Sequence, residues 1–333
     1  MYMIKKYMLL LPYGWVETYM YRDLLANDNV HIFYMDKPLE NKIVNFLRRV
    51  HRSNKINKII DLPGKSLWDS ELLQKTDNTT CVIFTTGTLE KRELSFLRNI
   101  KKRAAKIALL ITDSMRAHSW HLEMVKHKIF NFEWDLILSF DQYDCEKYGF
   151  HFLGKNYYSI LGDVACSNIK SDIYYVGSEK RNSNRNQKIV GLHRFFANNN
   201  IICNFNIVDN KRNSEKYKDF LKNGLKLSFE WIPYEKVLSE VKSTNCILEM
   251  LQEGQNEQSL RYFEAVCYNK KLLTNNERIQ YLPFYNEKYM RYFKTLEDID
   301  LEWIKTKEII DYGYKNEFSP VKILEIVNEY FDN

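Results

Sequence analysis

The sequence predicts an α/β protein of two Rossmann-like, doubly wound domains facing each other across a cleft, and three observations carry that expectation. Short apolar runs rich in β-branched and aromatic residues alternate with longer stretches of helical periodicity, the pattern of βαβ units around a parallel sheet. The alternation starts afresh just past the midpoint. The length of 333 residues, with 45% hydrophobic and 28% charged side chains, stands near the size at which one core divides into two.

The first series opens with Met8–Leu11, preceded by Lys5 and Lys6. This run falls far short of the ~20 apolar residues of a membrane span and lacks a small-residue cleavage site, so it reads as a strand and not as a signal segment. Val30–Met35, Cys81–Thr86, Ile107–Thr112 and Asp135–Phe140 are the next strands. Between them Glu17–Leu25, Lys42–His51 and Leu89–Lys102 space their apolar residues three or four apart, as helices covering a sheet do. Gly154–Ser171 has no such periodicity and marks the join. Asp172–Gly177 then opens a second series, continued by Ile201–Val208, Lys226–Phe229, Asn245–Met250 and Lys270–Asn276. Pro320–Phe331, after a turn at Phe318-Ser-Pro, is a closing amphipathic helix able to pack back on the first domain. The expected division is 1–160, 161–319 and a C-terminal helix within 320–333.

Composition excludes several classes. The six cysteines stand at least 21 residues apart with no CxxC or CxxH, so neither a zinc ribbon nor a disulfide scaffold is indicated and reduced cytoplasmic thiols are expected. Eleven glycines and six prolines are too few for a disordered or low-complexity chain. Charge is uneven: 24 Lys and Arg face 19 Asp and Glu in residues 1–165, against 25 and 24 in residues 166–333. The cations concentrate in 48–58 and 91–106, where contact with an anionic membrane face competes with an ordinary solvated helix surface. No nucleic-acid-binding motif accompanies them.

Ligands of open α/β sheets bind beyond the carboxyl ends of the strands, and four loops there carry chemistry. After the first strand, Gly14 relaxes a turn and Glu17 begins a helix, as a general base or as a carboxylate stabilising a helix N-terminus. After the fourth, Thr112-Asp113-Ser114 with His118 can handle a proton or contact a sugar, or cap the next helix. In the second series Gly177-Ser178 precedes Lys180, Arg181 and Arg185, a glycine that lets backbone N–H groups approach an anion and cations that neutralise it. Last, Gly254 and Gln255 lead to Ser259, an N-cap candidate, Arg261 and Glu264. A diphosphate suits that helix N-terminus and ribose hydroxyls suit Glu264; a capped helix with an internal Arg/Glu pair is the plain alternative. The spacings of P-loop and dinucleotide-binding motifs are absent.

Glu253-Gly-Gln, Ser259-Leu-Arg and Glu264-Ala, followed by Lys270–Asn276 and Phe284-Tyr-Asn, resemble the donor-site region of GT-B glycosyltransferase-like proteins from bacterial lipopolysaccharide, capsule and exopolysaccharide gene clusters. The resemblance extends in order and spacing to Thr112-Asp-Ser, Trp134–Asp144, Asp172–Ser178 and Trp231–Glu235. It implies a nucleotide-sugar held mainly by the second domain and an acceptor by the first. Gly177, Ser178 and Arg185 would approach the diphosphate, Tyr234 the base and Glu264 the ribose. The chain departs from the pattern at Asn256-Glu-Gln, and Asn256 stands eight before Glu264 where an EX7E motif needs glutamate. No DxD motif follows a strand where a metal-dependent GT-A enzyme carries one, so Arg, Lys and a helix N-terminus are expected to offset the diphosphate without metal or cofactor.

The expected function is therefore transfer of a sugar from a nucleotide-diphosphate sugar to a surface polysaccharide or a polyprenyl-diphosphate-linked saccharide, at the inner face of the membrane and without nucleic acid. A nucleotide-sugar-binding assembly protein without transfer activity, or a sugar-nucleotide epimerase of the same fold, are the alternatives.

Overall fold

The computed structural model describes residues 4–14, 16–53, 56, 65–90, 92–116, 120–162, 168–178, 185–208, 224–251 and 258–332. The chain divides into two compact units, Met1–Ser159 with Phe318–Asn333, and Ile160–Glu317.

In the first unit the strands β1 (Lys6–Pro12), β2 (Val30–Met35), β3 (Thr80–Thr85), β4 (Lys106–Ile111), β5 (Leu136–Ser139) and β6 (His151–Phe152) form a sheet in the order β2-β1-β3-β4-β5-β6. Every pair is parallel. In the second, β7 (Ser171–Ser178), β8 (Cys203–Val208), β9 (Lys226–Ser228), β10 (Thr244–Glu249), β11 (Lys271–Thr274) and β12 (Met290–Tyr292) line up as β12-β11-β10-β7-β8-β9, again all parallel. The second sheet, read from its far edge, has the dinucleotide-type order and the first begins 2-1-3-4-5, so both are doubly wound. The winding reverses between β1 and β3 in one unit and between β7 and β10 in the other. A crevice opens at such a reversal because neighbouring connections leave to opposite faces.

Burial on both faces explains why the strands read as continuous apolar runs. Met8 and Leu10 pack on one side of the first sheet with Phe84, Leu109, Leu97 and Val125. Their neighbours Tyr7, Leu9 and Leu11 turn to the other with Ile83, Leu110 and Leu138, the period-two alternation of a pleated strand. Ile323, Leu324 and Val327 of the closing helix Val321–Asp332 belong to this second cluster, and each such side chain contributes about 1.5–3 kcal/mol on burial. The second sheet packs Ile173, Tyr175, Phe205, Ile207 and Leu248 against Ile189, Phe196 and Trp303.

All the expected strands are present with bounds within two residues. β6 and β12 were not foreseen: edge strands of two and three residues are too short to impose a period. Two helices differ from expectation. Glu17–Leu25 is a single turn, Glu17–Met20, followed by a 3-10 segment, Arg22–Ala26, because Tyr21 between them turns into the core. Leu89–Lys102 is broken into Thr86–Leu89 and Leu94–Lys101, since Arg92 leaves the helical path to enter a buried ionic cluster.

That cluster takes Arg48, Arg52 and Arg92 out of the cationic surface expected at 48–58 and 91–106, while Arg49, Arg98, Lys102 and Arg103 are exposed. Arg52 pairs with Asp36 at 2.7 Å and Asp69 at 2.6 Å, and Arg92 reaches the same two carboxylates at 3.2 and 3.6 Å. Arg48 donates to the Lys37 carbonyl at 2.6 Å and to Asn45 at 3.0 Å. All three guanidinium groups are buried, as is Asp69. Burial first, and the like charge of Arg52 second, lower Arg48 from the ordinary arginine pKa.

Candidate functional site

The β7/β10 reversal in the second unit gathers most of the described donor candidates. Gly177 and Ser178 end β7. A side chain at position 177 would collide with the hydroxyl of the buried Tyr175 and meet Arg185 at 3.2 Å, so glycine serves close approach here and not a special φ. The Arg185 guanidinium lies 6.0 Å from the centre of the Tyr175 ring, and its Nε is buried with no hydrogen-bond partner among the described residues. Burial raises the Tyr175 pKa while Arg185 and Arg261 both oppose the rise. Gly177→Ala is expected to cost about 1–3 kcal/mol of stability through overpacking, read as a lower urea midpoint, and to disturb Arg185.

From the neighbouring strand, Ser259 caps the helix Leu260–Cys267 by accepting from the Arg261 N–H at 3.1 Å. Its hydroxyl also donates to Glu249, the last residue of β10, and the other oxygen of Glu249 accepts from Thr274 at the end of β11. This buried carboxylate pins the start of the helix to the carboxyl edge of the sheet. Asn275 clasps the backbone of Leu251, accepting from its N–H at 2.7 Å and donating to its carbonyl at 3.3 Å. Two further polar atoms at this edge, Oε1 of Gln258 and Nδ2 of Asn276, are buried without partners among the described residues.

Glu264 is fully buried. One of its oxygens accepts from the Tyr234 hydroxyl at 2.9 Å and the other from Arg261. Glu264 thus forms the Arg/Glu pair of the plain alternative with Arg261, and the Tyr234 hydroxyl is directed to the same carboxylate. His118, Arg181, Gly254 and Gln255 lie outside the described residues, as do Lys180, Asn256 and Glu257.

Glu249 and Thr274 escaped the reading of the sequence. The available signal was a lone carboxylate directly after the apolar run Cys246-Ile-Leu. Burial raises the Glu249 pKa above the usual glutamate value, against the hydroxyls of Ser259 and Thr274 and the charge of Arg261. A raised folded-state pKa means stability that is complete below the unfolded pKa and lost as pH rises through the folded one. Glu249→Gln, which cannot ionise, should therefore gain on wild type as pH rises from about 4 to about 8 in paired urea titrations. A constant difference across that range would show that Glu249 titrates normally.

In the first unit Glu17, Thr86 and Asp113 follow β1, β3 and β4, three adjacent strands, and so share one carboxyl edge. Gly14, with φ +79°, turns the chain toward Glu17, which is buried at the start of its helix. Tyr21, one helical turn on, is driven to a higher pKa by burial first and then by the Glu17 charge. The Thr86 and Thr112 hydroxyls share a hydrogen bond of 2.6 Å, and Asp113 is half-buried beside them. Ser114 donates to Asp141, which also pairs with Arg116 at 2.9 Å and caps the helix Gln142–Tyr148. Burial works against ionisation of Asp141, but Ser114, Arg116 and the Tyr143 N–H together hold its carboxyl below the usual range. Asp144 accepts from the Met115 N–H at 2.7 Å. The two aspartates of 141–144 thus hold the loop after β4. Among the described residues no group of three or more His, Cys, Asp or Glu is arranged to hold a metal ion.

No protein-family model matches the chain, and no curated protein matches it in sequence. Solved structures do resemble it. The lipopolysaccharide outer core galactosyltransferase WaaB in its apo form is 15% identical, with 98% of this chain and 99% of that one covered at a TM-score of 0.50. An alpha-glucosyltransferase in complex with UDP-glucose and DNA containing an abasic site is 10% identical over 90% and 89% of the two chains, at a TM-score of 0.55. MnaA of S. aureus, solved with UDP, is 14% identical over 99% and 97%, at 0.52. At these identities the likeness shows the fold: the chain has the two Rossmann-like units of the GT-B type.

Proposed function

We propose that the protein is a glycosyltransferase that moves a sugar from a nucleotide-diphosphate sugar, held by the second unit, to a surface polysaccharide or lipid-linked saccharide acceptor met by the first. The observation that carries this reading is the β7/β10 reversal, where Gly177, Arg185, Arg261 and the capped N-terminus of Leu260–Cys267 occupy one sheet edge. The positive end of a helix dipole and two guanidinium groups suit the charge of a diphosphate. The structural neighbours support a uridine nucleotide, since one is described with UDP-glucose and another with UDP.

On this reading Arg185 and Arg261 neutralise the departing diphosphate, and no divalent cation is needed. Glu264 and Tyr234 hold Arg261 in place, and Ser259 and Glu249 fix the helix start. For an inverting displacement, Glu17 takes the acceptor proton, with Asp113 and His118 as further candidates. A retaining reaction has no use for that base.

A thermal-shift screen against UDP, GDP, CMP and dTDP tests the donor reading, because a ligand at 100 times its Kd stabilises the native state by about 2.7 kcal/mol. A shift with UDP and its sugars is expected; no shift with any of the four contradicts the proposal. Donor binding with no UDP release in the presence of saccharide acceptors would favour an assembly protein without transfer activity.

A further inference from the structure

An amphipathic helix on a folded unit ordinarily lays its apolar stripe on the core. The helix Lys42–His51 is mounted the other way round. Its inward side is polar: Asn45 and Arg48, with Arg52 just past the end, engage Lys37, Asp36 and Asp69. Residues three and four apart share a face, so this leaves Ile43, Phe46 and Leu47 together on the opposite side, 71%, 64% and 52% exposed. Asn41 caps the helix, accepting from the Ile43 and Val44 N–H groups, so these side chains stand on an ordered turn. Leu39 and Leu67, the latter 74% exposed, line a cavity beside Arg48. Lys37, Lys42 and Arg49 are exposed around the apolar face, with Glu40 the acidic exception.

Single exposed apolar residues are ordinary, but a contiguous apolar helix face marks an interaction surface. It is one helix wide and rimmed by the exposed cations Lys37, Lys42 and Arg49, which suits a fluid apolar phase with an anionic boundary better than a folded partner. We propose that the Ile43–Phe46–Leu47 face inserts into the headgroup layer of an anionic bilayer, with Lys37, Lys42 and Arg49 against the lipid phosphates. The helix starts from the carboxyl edge of the first sheet, the edge that also carries Glu17 and Asp113. Among the described residues no helix is long and apolar enough to cross a membrane, so the contact is one of lying on the surface. The attachment stands whether or not the catalytic reading does.

The test is co-sedimentation of the full chain with phosphatidylcholine vesicles containing or lacking phosphatidylglycerol. Wild type should partition onto the phosphatidylglycerol vesicles and leave neutral ones, with release at high salt. Replacing Ile43 and Phe46 together by serine should weaken partitioning on the order of 100-fold. Replacing Lys42 and Arg49 by glutamine should weaken it by about 30-fold. Both variants should keep the wild-type melting temperature, because the changed side chains are exposed. Absence of wild-type binding, or binding undiminished in the Ile43/Phe46 variant, would overturn the proposal. So would a wild-type dimer abolished by the Ile43/Phe46 change with no vesicle binding, an outcome that assigns the face to a second copy of the chain.

Discussion

Asp69→Ala is expected to destabilise the first unit by about 3–5 kcal/mol, the cost of removing one partner from a buried ion pair. Asp69 is buried within 2.6 Å of Arg52 and 3.6 Å of Arg92. With its carboxylate gone, three buried guanidinium groups share Asp36 alone among these carboxylates. The reverse change to a matched apolar cluster would cost far less, since the penalty comes from the uncompensated charge and not from loss of the pair. Urea unfolding followed by tryptophan fluorescence measures it. Asp77→Ala, which breaks the surface pair with Lys6 at 2.7 Å, is the control and should cost at most about 1 kcal/mol. Equal losses in the two variants would mean that the buried cluster is not what holds β2, the helix Lys42–His51 and Arg92 together.

Glu17→Gln is expected to lower turnover by about 10²–10⁴-fold, the range general-base catalysis supplies, while leaving UDP affinity unchanged, because Glu17 belongs to the first unit and the proposed diphosphate site to the second. The amide keeps the size of the side chain but cannot take a proton. Single-turnover assays with saturating donor separate this loss of chemistry from any change in binding. Unchanged turnover would reduce Glu17 to a helix-starting carboxylate and move the search for a base to Asp113.

The central strands were legible because both their faces are buried, so runs such as Met8-Leu-Leu-Leu in β1 or Cys246-Ile-Leu in β10 read as unbroken apolar stretches. Their order was not. Which strand lies beside β7 depends on crossovers that no residue records, and it is this order that sets β7, which ends in Gly177-Ser178, beside β10, which ends in Glu249. Ser259 was readable as a cap because capping is local chemistry. The inward turn of Tyr234 and Glu264 was not, since the hydrogen bond between them joins residues 30 apart. Charge misled in the same way: Arg48, Arg52 and Arg92 look like surface cations until Asp36 and Asp69 are brought to them by the fold. The helix Lys42–His51 matched its expected bounds residue for residue, yet periodicity says only that a helix has two faces. The buried arginines decided which one points out.

Titration calorimetry with UDP in the presence of EDTA, on wild type and on Arg185→Gln, tests the central claim most directly. The account predicts saturable, metal-free binding by wild type and a loss of about 1.5–3 kcal/mol in the variant, the scale of a charged hydrogen bond, with Asp113→Asn binding as wild type does. Failure of wild type to bind any nucleoside diphosphate, or binding that Arg185→Gln leaves intact, would contradict a diphosphate site at the β7/β10 reversal.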